Sequence, residues 1–207
     1  MPDFINYPFE KYGLDVSRET SEKFNRYAEI LLKWQNAINL VSEATLEDMA
    51  KRHFLDSAQL MKYIPDKNIK LADLGSGAGF PGLVLAMMGV AEVHLIESDV
   101  RKATFLREVS RETSVKTFIH DDRIEETKIE NLDFITARAL APLKDLLVMA
   151  DGLSTPGHPV TCLLMKGEKT EEELVKAQKK WDFSLELCQS VTEQSGKILK
   201  INNLIKK

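Results

Sequence analysis

The sequence predicts an α/β protein: a mostly parallel sheet with helices on both faces and a helical extension at the N-terminus. Three observations carry this. The stretch Lys70-Leu-Ala-Asp-Leu-Gly-Ser-Gly-Ala-Gly-Phe-Pro-Gly82 joins a short apolar run to a glycine turn and then to an apolar helix. That is the pattern of the first strand–turn–helix unit of a nucleotide-binding sheet. From Ile69 onward, short apolar runs alternate with stretches of helical period, which argues for parallel strands joined by right-handed crossovers. Finally, 43% hydrophobic and 29% charged residues over 207 positions suit one domain with a buried core and a small appendage.

Taken in order, residues 1–66 read as the helical extension and 67–207 as the sheet-bearing core of a single domain. The first sixteen residues scatter Phe4, Tyr7, Phe9 and Tyr12 without a period, an irregular arm with room for one helical turn. Ser17 and Thr20 are N-caps for a helix running to about Leu40. Its apolar stripe is Phe24, Tyr27, Ala28, Leu31, Trp34 and Ile38, at three- and four-residue steps. Thr45-Leu-Glu-Asp48 has the form of a capping box with Asp for the usual Glu, opening a second helix through about Met61. A linker containing Pro65 leads into the sheet. Strands are expected at 69–74, 92–97, 115–120, 132–137 and 160–165, and helices at 81–88, 100–111, 140–150 and 169–180. Segments 184–192 and 197–204 alternate polar with apolar around Gln194-Ser-Gly196. They read as a closing antiparallel pair at the sheet edge.

Composition excludes several classes. No apolar run approaches the roughly 20 residues needed to span a bilayer, so no membrane partner is expected. The start Met-Pro-Asp-Phe-Ile-Asn has neither the basic beginning nor the apolar centre of a signal peptide. Cys162 and Cys188 lack CxxC or metal-ligand spacing, so they are expected to be reduced, with no metal site and a cytoplasmic location. A formal net charge of −4 argues against wholesale nucleic-acid binding, so any such surface must be a local basic face.

The glycine turn admits two ligand readings. Gly77-Ala-Gly-Phe-Pro-Gly82 matches G-x-G-x-x-G, the dinucleotide fingerprint. Register argues against it, because the first motif glycine should closely follow the strand, and here Asp73-Leu-Gly-Ser76 intervenes. The earlier set, Asp73-x-Gly75-x-Gly77-x-Gly79, resembles motif I of class I S-adenosylmethionine (SAM) methyltransferases, which implies their Rossmann-like fold and SAM as cofactor. Glycines suit that loop because they turn without a Cβ penalty and let a ligand lie against the backbone. Asp73 beside the loop can hold the ligand's ammonium group through structure or water. Glu97, ending the second strand, can accept from both ribose hydroxyls. Glu97 by itself does not separate SAM from a dinucleotide.

The matched segments extend well beyond the loop. They are Trp34 with Asn39-Leu-Val-Ser42, Arg52-His-Phe-Leu-Asp-Ser57, Phe80-Pro-Gly82, Glu97-Ser98, Arg101-Lys-Ala-Thr-Phe-Leu106, Arg123-Ile-Glu125, Ala137-Arg-Ala-Leu140 and Lys166-Gly167. Over about residues 31–166 the chain resembles the RsmG (GidB) family, bacterial methyltransferases that modify N7 of a guanine in 16S ribosomal RNA. Gln35 and Val41 depart from that pattern, standing where Asn and Thr are common.

The resemblance implies a cofactor site made of Asp73, Gly75, Gly77, Gly79 and Phe80, with Glu97 at the ribose. It also implies Ile124 and Glu125 at the adenine and Arg138 near the cofactor. It implies 16S rRNA or the small ribosomal subunit as partner, and monomer is the default state. Guanine N7 carries an in-plane lone pair and no proton. Methyl transfer then needs no general base, and no catalytic dyad is expected, only positioning. Contacts to RNA are expected at Arg52, Arg101, Lys102, Arg123 and Lys166. The C-terminal Lys197, Lys200, Lys206 and Lys207 read as solvated charge. His53, sharing a helix face with Met49 and Ser57, is expected to orient Arg52 or Asp56 rather than do chemistry.

Overall fold

Ser17 ends the N-terminal arm by capping the first helix, α1 (Arg18–Gln35), where its hydroxyl accepts from Thr20 N at 3.1 Å. In the computed structural model, which describes residues 2–207, α1 buries Phe24, Tyr27, Ala28 and Leu31 on the expected stripe. The helix stops at Gln35 rather than near Leu40. The cause is local: the Gln35 amide accepts from Leu40 N (3.0 Å) and Val41 N (3.1 Å) and donates to Val41 O (2.8 Å). One side chain thereby satisfies backbone groups that would otherwise have continued the helix.

The expected second helix is not continuous. A 3₁₀ turn at Glu43–Thr45 is followed by a π-helical turn at Ala50–Leu55, then α2 (Asp56–Ala58) and a 3₁₀ turn at Gln59–Tyr63. Thr45 opens no helix. Its hydroxyl donates to Ser42 O at 2.7 Å and meets His53 Nε2 at 2.8 Å. A π turn widens the backbone spiral and is found mostly at functional positions.

The sheet strands are β1 (Lys70–Leu74), β2 (Glu92–Ile96), β3 (Phe118–His120), β4 (Phe134–Arg138), β5 (Thr161–Lys166), β6 (Trp181–Gln189) and β7 (Lys197–Lys206). Their order is β3-β2-β1-β4-β5-β7-β6. The first five run parallel, and β7 lies antiparallel to both β5 and β6. The remaining helices are α3 (Gly82–Met87), α4 (Val100–Glu112), α5 (Leu143–Leu153) and α6 (Thr170–Ala177). Asp99 caps α4 by accepting from Arg101 N and Lys102 N. The expected 140–150 helix is displaced because Pro142 stands at its N-cap, and Ala139 before it takes a positive φ of 53°. The closing hairpin is longer than its alternation suggested, starting at Trp181.

Two apolar layers cover the sheet. On one face the arm, α1, α3 and α4 form a core that includes Phe4, Phe9, Phe24, Tyr27, Phe54, Phe80 and Phe105. The aperiodic arm is therefore not loose: Phe4 is fully buried, its ring centroid 4.3 Å from that of Phe54. Burying one such ring contributes about 1.5–3 kcal/mol. The other face is covered by α5 and α6, with Leu146, Leu147, Leu174 and Trp181 buried. Strand order reverses between β1 and β4, which opens a crevice at their C-terminal ends where sheets of this kind bind ligands. Among the described residues, no helix is long and apolar enough to cross a membrane.

Candidate active site

The glycine turn is held from beneath. Asp73 is fully buried, and its carboxylate accepts from Gly82 N (3.2 Å) and from the Thr136 hydroxyl (2.8 Å). Ser76 donates through its hydroxyl to Asp73 O at 2.9 Å and through its N–H to Ile96 O at 3.0 Å. Burial pushes the Asp73 carboxyl up to about 6, opposed by the hydrogen bonds it accepts and by the charge of Arg138. From above, the buried Tyr27 hydroxyl donates to Ala78 O. The Phe80–Pro81 peptide bond is cis.

The three motif glycines differ in what they do. All have positive φ: Gly75 at 59°, Gly77 at 55° and Gly79 at 90°. A Cβ on Gly79 would overlap Leu83 Cδ1 and lie 2.7 Å from the Tyr27 hydroxyl, so this glycine is needed for packing. A Cβ on Gly77 would meet nothing nearer than Gly75 O at 3.7 Å. Gly77 therefore faces open space. That space is a cavity of about 420 Å³, floored by Gly75–Ala78 and walled by Phe80, Glu97, Ile124, Glu125, Arg138 and Leu140.

Glu97 is buried at the cavity edge. Its Oε2 accepts from Gly77 N at 2.9 Å and its Oε1 from Asp99 N at 2.8 Å. A carboxylate oxygen has two lone pairs, so each still has one to offer a ligand hydroxyl. Ile124 and Glu125 line the same cavity, from the 3₁₀ turn Ile124–Glu126 that follows β3.

Arg138, at the end of β4, is the junction of the site. Its guanidinium lies 5.0 Å above the Phe80 ring centroid, donates to Arg52 O at 3.2 Å and pairs with Asp56 at 3.4 Å. Its other terminal nitrogen donates to His53 Nδ1 at 3.2 Å. Arginine only donates, so Nδ1 accepts, and the His53 proton sits on Nε2, directed at the Thr45 hydroxyl. Burial, then the charges of Arg138 and Arg52, lower the His53 pKa to about 3; the ring is neutral. It stacks on Phe80 with centroids 5.0 Å apart. The expectation that His53 orients Arg52 or Asp56 is thus corrected: its partners are Arg138 and Thr45.

Beyond Arg138 lies a second cavity of about 560 Å³. The two cavities share Leu40, Arg138 and Ala139. The second is closed by the 40–45 loop, the end of β5 with the segment after it (Lys166–Lys169) and the hairpin loop between β6 and β7.

Of the residues expected at the cofactor, Gly75, Gly77, Phe80, Glu97, Ile124, Glu125 and Arg138 line the first cavity, whereas Asp73 and Gly79 hold its floor from behind. Of those expected at RNA, Lys102 and Arg123 line the first cavity, and Arg52 and Lys166 the second. Arg101 borders neither. It is exposed at the start of α4, 3.8 Å from Asp99. Lys166 is engaged internally, bonded to Glu173 (2.7 Å) and Ala141 O (2.9 Å). Sequence reasoning missed Leu40, Asp122, Leu140 and the hairpin residues Ser190, Thr192 and Glu193. The hairpin carried no local signal, since polar turn residues are ordinary there.

In fold, the chain is similar to P. horikoshii TYW2 in complex with MeSAdo (TM-score 0.58, 16% identity, 83% of this chain and 66% of that one). It is also similar to a TehB-like SAM-dependent methyltransferase from Corynebacterium glutamicum (TM-score 0.55, 14% identity, 90% and 99%). Among curated relatives, "Ribosomal RNA small subunit methyltransferase G" of Rhodospirillum centenum is 48% identical over 98% of this chain and 93% of its own. The protein of that name from Rickettsia typhi is 42% identical over 93% and 99%. The GidB family model, described as rRNA small subunit methyltransferase G, matches residues 20–202. With the match running from α1 through β7 and so taking in every wall of both cavities, the chain belongs to the GidB family of rRNA small subunit methyltransferases.

Proposed function

We propose that this protein transfers a methyl group from SAM to N7 of a guanine in 16S rRNA, acting in the cytoplasm on the rRNA or the small ribosomal subunit, as a monomer. The observation that carries the reading is the pair of cavities meeting at Arg138. In-line transfer requires adjoining donor and acceptor sites, with the reacting atoms about 3–3.5 Å apart.

The first cavity fits SAM. Glu97 has a free lone pair on each oxygen for the ribose diol, and the open space at Gly77 admits a ligand against the backbone. The adenine is assigned to the 3₁₀ turn at Ile124–Glu126, whose Ile124 and Glu125 line this cavity. SAM supplies an electrophilic methyl group on a sulfonium centre. The chain's part is to hold the acceptor nitrogen in line and exclude water, in a region walled by the buried Phe80 and by Leu40. N7 has no proton to remove, so none of these residues acts as a base. The purine gains positive charge during transfer, and a bare cation beside it would be unfavourable; Asp56 at 3.4 Å balances Arg138. An acceptor base must be unstacked from its RNA. The second cavity, at about 560 Å³, has room for one. Lys102 and Arg123 at the donor mouth, and Arg52 at the acceptor mouth, are placed for phosphates.

The test is a deletion strain. Mass spectrometry of its 16S rRNA should show one N7-methylguanine lost and restored by the purified protein with SAM. An unchanged modification profile would reject the reading, and labelled methyl entering protein instead would redirect it to another acceptor.

A further inference from the structure

The segment Arg52-His-Phe-Leu-Asp-Ser57 is built as the keystone of the acceptor cavity. Its first residue contributes a carbonyl oxygen to Arg138 and a guanidinium to Glu193 of the hairpin loop at 3.3 Å. His53 links Arg138 on one ring nitrogen to Thr45 on the other. Asp56 does the same with its two oxygens: Oδ2 meets Arg138, and Oδ1 accepts from the Thr192 hydroxyl at 2.5 Å. Ser57 donates back to His53 O at 2.7 Å. Thr45 belongs to one loop that closes the cavity and Thr192 to the other, while Arg138 is the wall shared with the donor cavity. The chain of bonds therefore runs from loop to loop through that wall. None of these groups is positioned by its own strand or helix alone. The π turn at Ala50–Leu55 is what presents the Arg52 carbonyl and the His53 ring together to Arg138.

We infer that His53 and Asp56 are positioning residues for the methyl transfer: acting through Arg138, they fix the junction where the donor and acceptor cavities adjoin, and through Thr45 and Thr192 they fix the two loops over the acceptor base. A network of this kind holds geometry, and a displacement of about 1 Å in a reacting pair can lower a rate by 10²-fold. The inference rests on the proposed transfer to rRNA.

The experiment compares wild type with His53→Ala, His53→Asn and Asp56→Asn. Methyl transfer to small ribosomal subunits from a deletion strain is measured alongside S-adenosylhomocysteine binding and thermal midpoints. Expected is a fall in kcat of roughly tenfold to a hundredfold for His53→Ala and Asp56→Asn, with S-adenosylhomocysteine affinity changed by less than about threefold. His53→Asn keeps an acceptor near the Nδ1 position and should recover most of the rate. Wild-type transfer with unchanged kcat in His53→Ala overturns the inference alone. So does a parallel fall in kcat and ligand affinity that Asn does not rescue, which is the mark of general disruption. Absence of wild-type transfer overturns the proposed function and this inference with it. Where His53→Ala does not fold, Thr45→Val and Thr192→Val cut only the outer links; a several-fold loss of kcat in either is expected, and wild-type kcat in both overturns the inference.

Discussion

Replacing Gly77 and Gly79 by alanine, one at a time, separates a glycine needed by a ligand from one needed by the core. Gly77 has φ of 55°, and its Cβ would enter empty space, 3.7 Å from Gly75 O. The cost to the apo protein is then only that of a left-handed alanine, about 1–2 kcal/mol. For a chain of this size each kcal/mol lowers the thermal midpoint by roughly 2–4 °C, so Gly77→Ala should melt a few degrees early. Gly79 has φ of 90°, and its Cβ would lie 2.7 Å from the buried Tyr27 hydroxyl and 2.9 Å from Leu83 Cγ. Overpacking adds about 1–3 kcal/mol to the backbone strain, which roughly doubles the loss in midpoint. Affinity should reverse the ranking. The Gly77 methyl projects into the donor cavity, so S-adenosylhomocysteine should bind tenfold or more weakly, a loss of about 1.4 kcal/mol. Any weakening in Gly79→Ala should follow its destabilisation. Differential scanning fluorimetry and calorimetric titration on both variants read the two effects. Wild-type affinity in Gly77→Ala, or equal melting of the two proteins, would refute the assignment of the loop.

Other expectations follow from the same geometry. Glu97→Gln keeps the shape but removes the charge that accepts from Gly77 N, Asp99 N and the ligand diol; charge-assisted bonds contribute about 1.5–3 kcal/mol, so calorimetry should show ligand affinity lowered at least tenfold, and a change below twofold would exclude the role. Tyr27→Phe strands the carbonyl of Ala78 in the core, at about 1–3 kcal/mol, and should lower the midpoint by several degrees. His53 is neutral in folded and unfolded chains above pH 6.5, but below it only the unfolded chain takes the proton, since the folded pKa is about 3. Stability is therefore lost as pH falls from 6.5 toward 3, by about 1.4 kcal/mol per pH unit. Asp73, raised to about 6, titrates with the opposite sign, so the comparison is wild type against His53→Asn: denaturant titrations should show a steeper acid loss in wild type, and identical slopes would contradict a buried neutral ring. Lys102→Ala and Arg123→Ala, at the rim of the first cavity, should each reduce the salt dependence of subunit binding by about one charge, measurable by filter binding.

The donor side was legible in the chain because it is built from contiguous residues obeying local rules. Alternating glycines, a strand-end acid about twenty residues later and an apolar run on either side point to a loop, the ribose acceptor proposed for it and the parallel sheet that aligns them. The element boundaries that went astray share a cause. Gln35 turns its side chain back onto the Leu40 and Val41 backbone, and the Thr45 hydroxyl bonds Ser42 and His53 instead of opening a helix. Such competition between side chain and helix has no periodic signature. The acceptor cavity was out of reach for a different reason. Its walls come from the 40–45 loop, the π turn, the end of β4, the end of β5 and the β6–β7 loop, and no spacing rule relates Thr45 to Thr192 or His53 to Arg138. The sequence by itself determined the fold class, the family and its cofactor. The tertiary structure decided that Arg138 belongs to both cavities and that His53 answers to it, because only folding brings these groups, far apart in the chain, within hydrogen-bond reach.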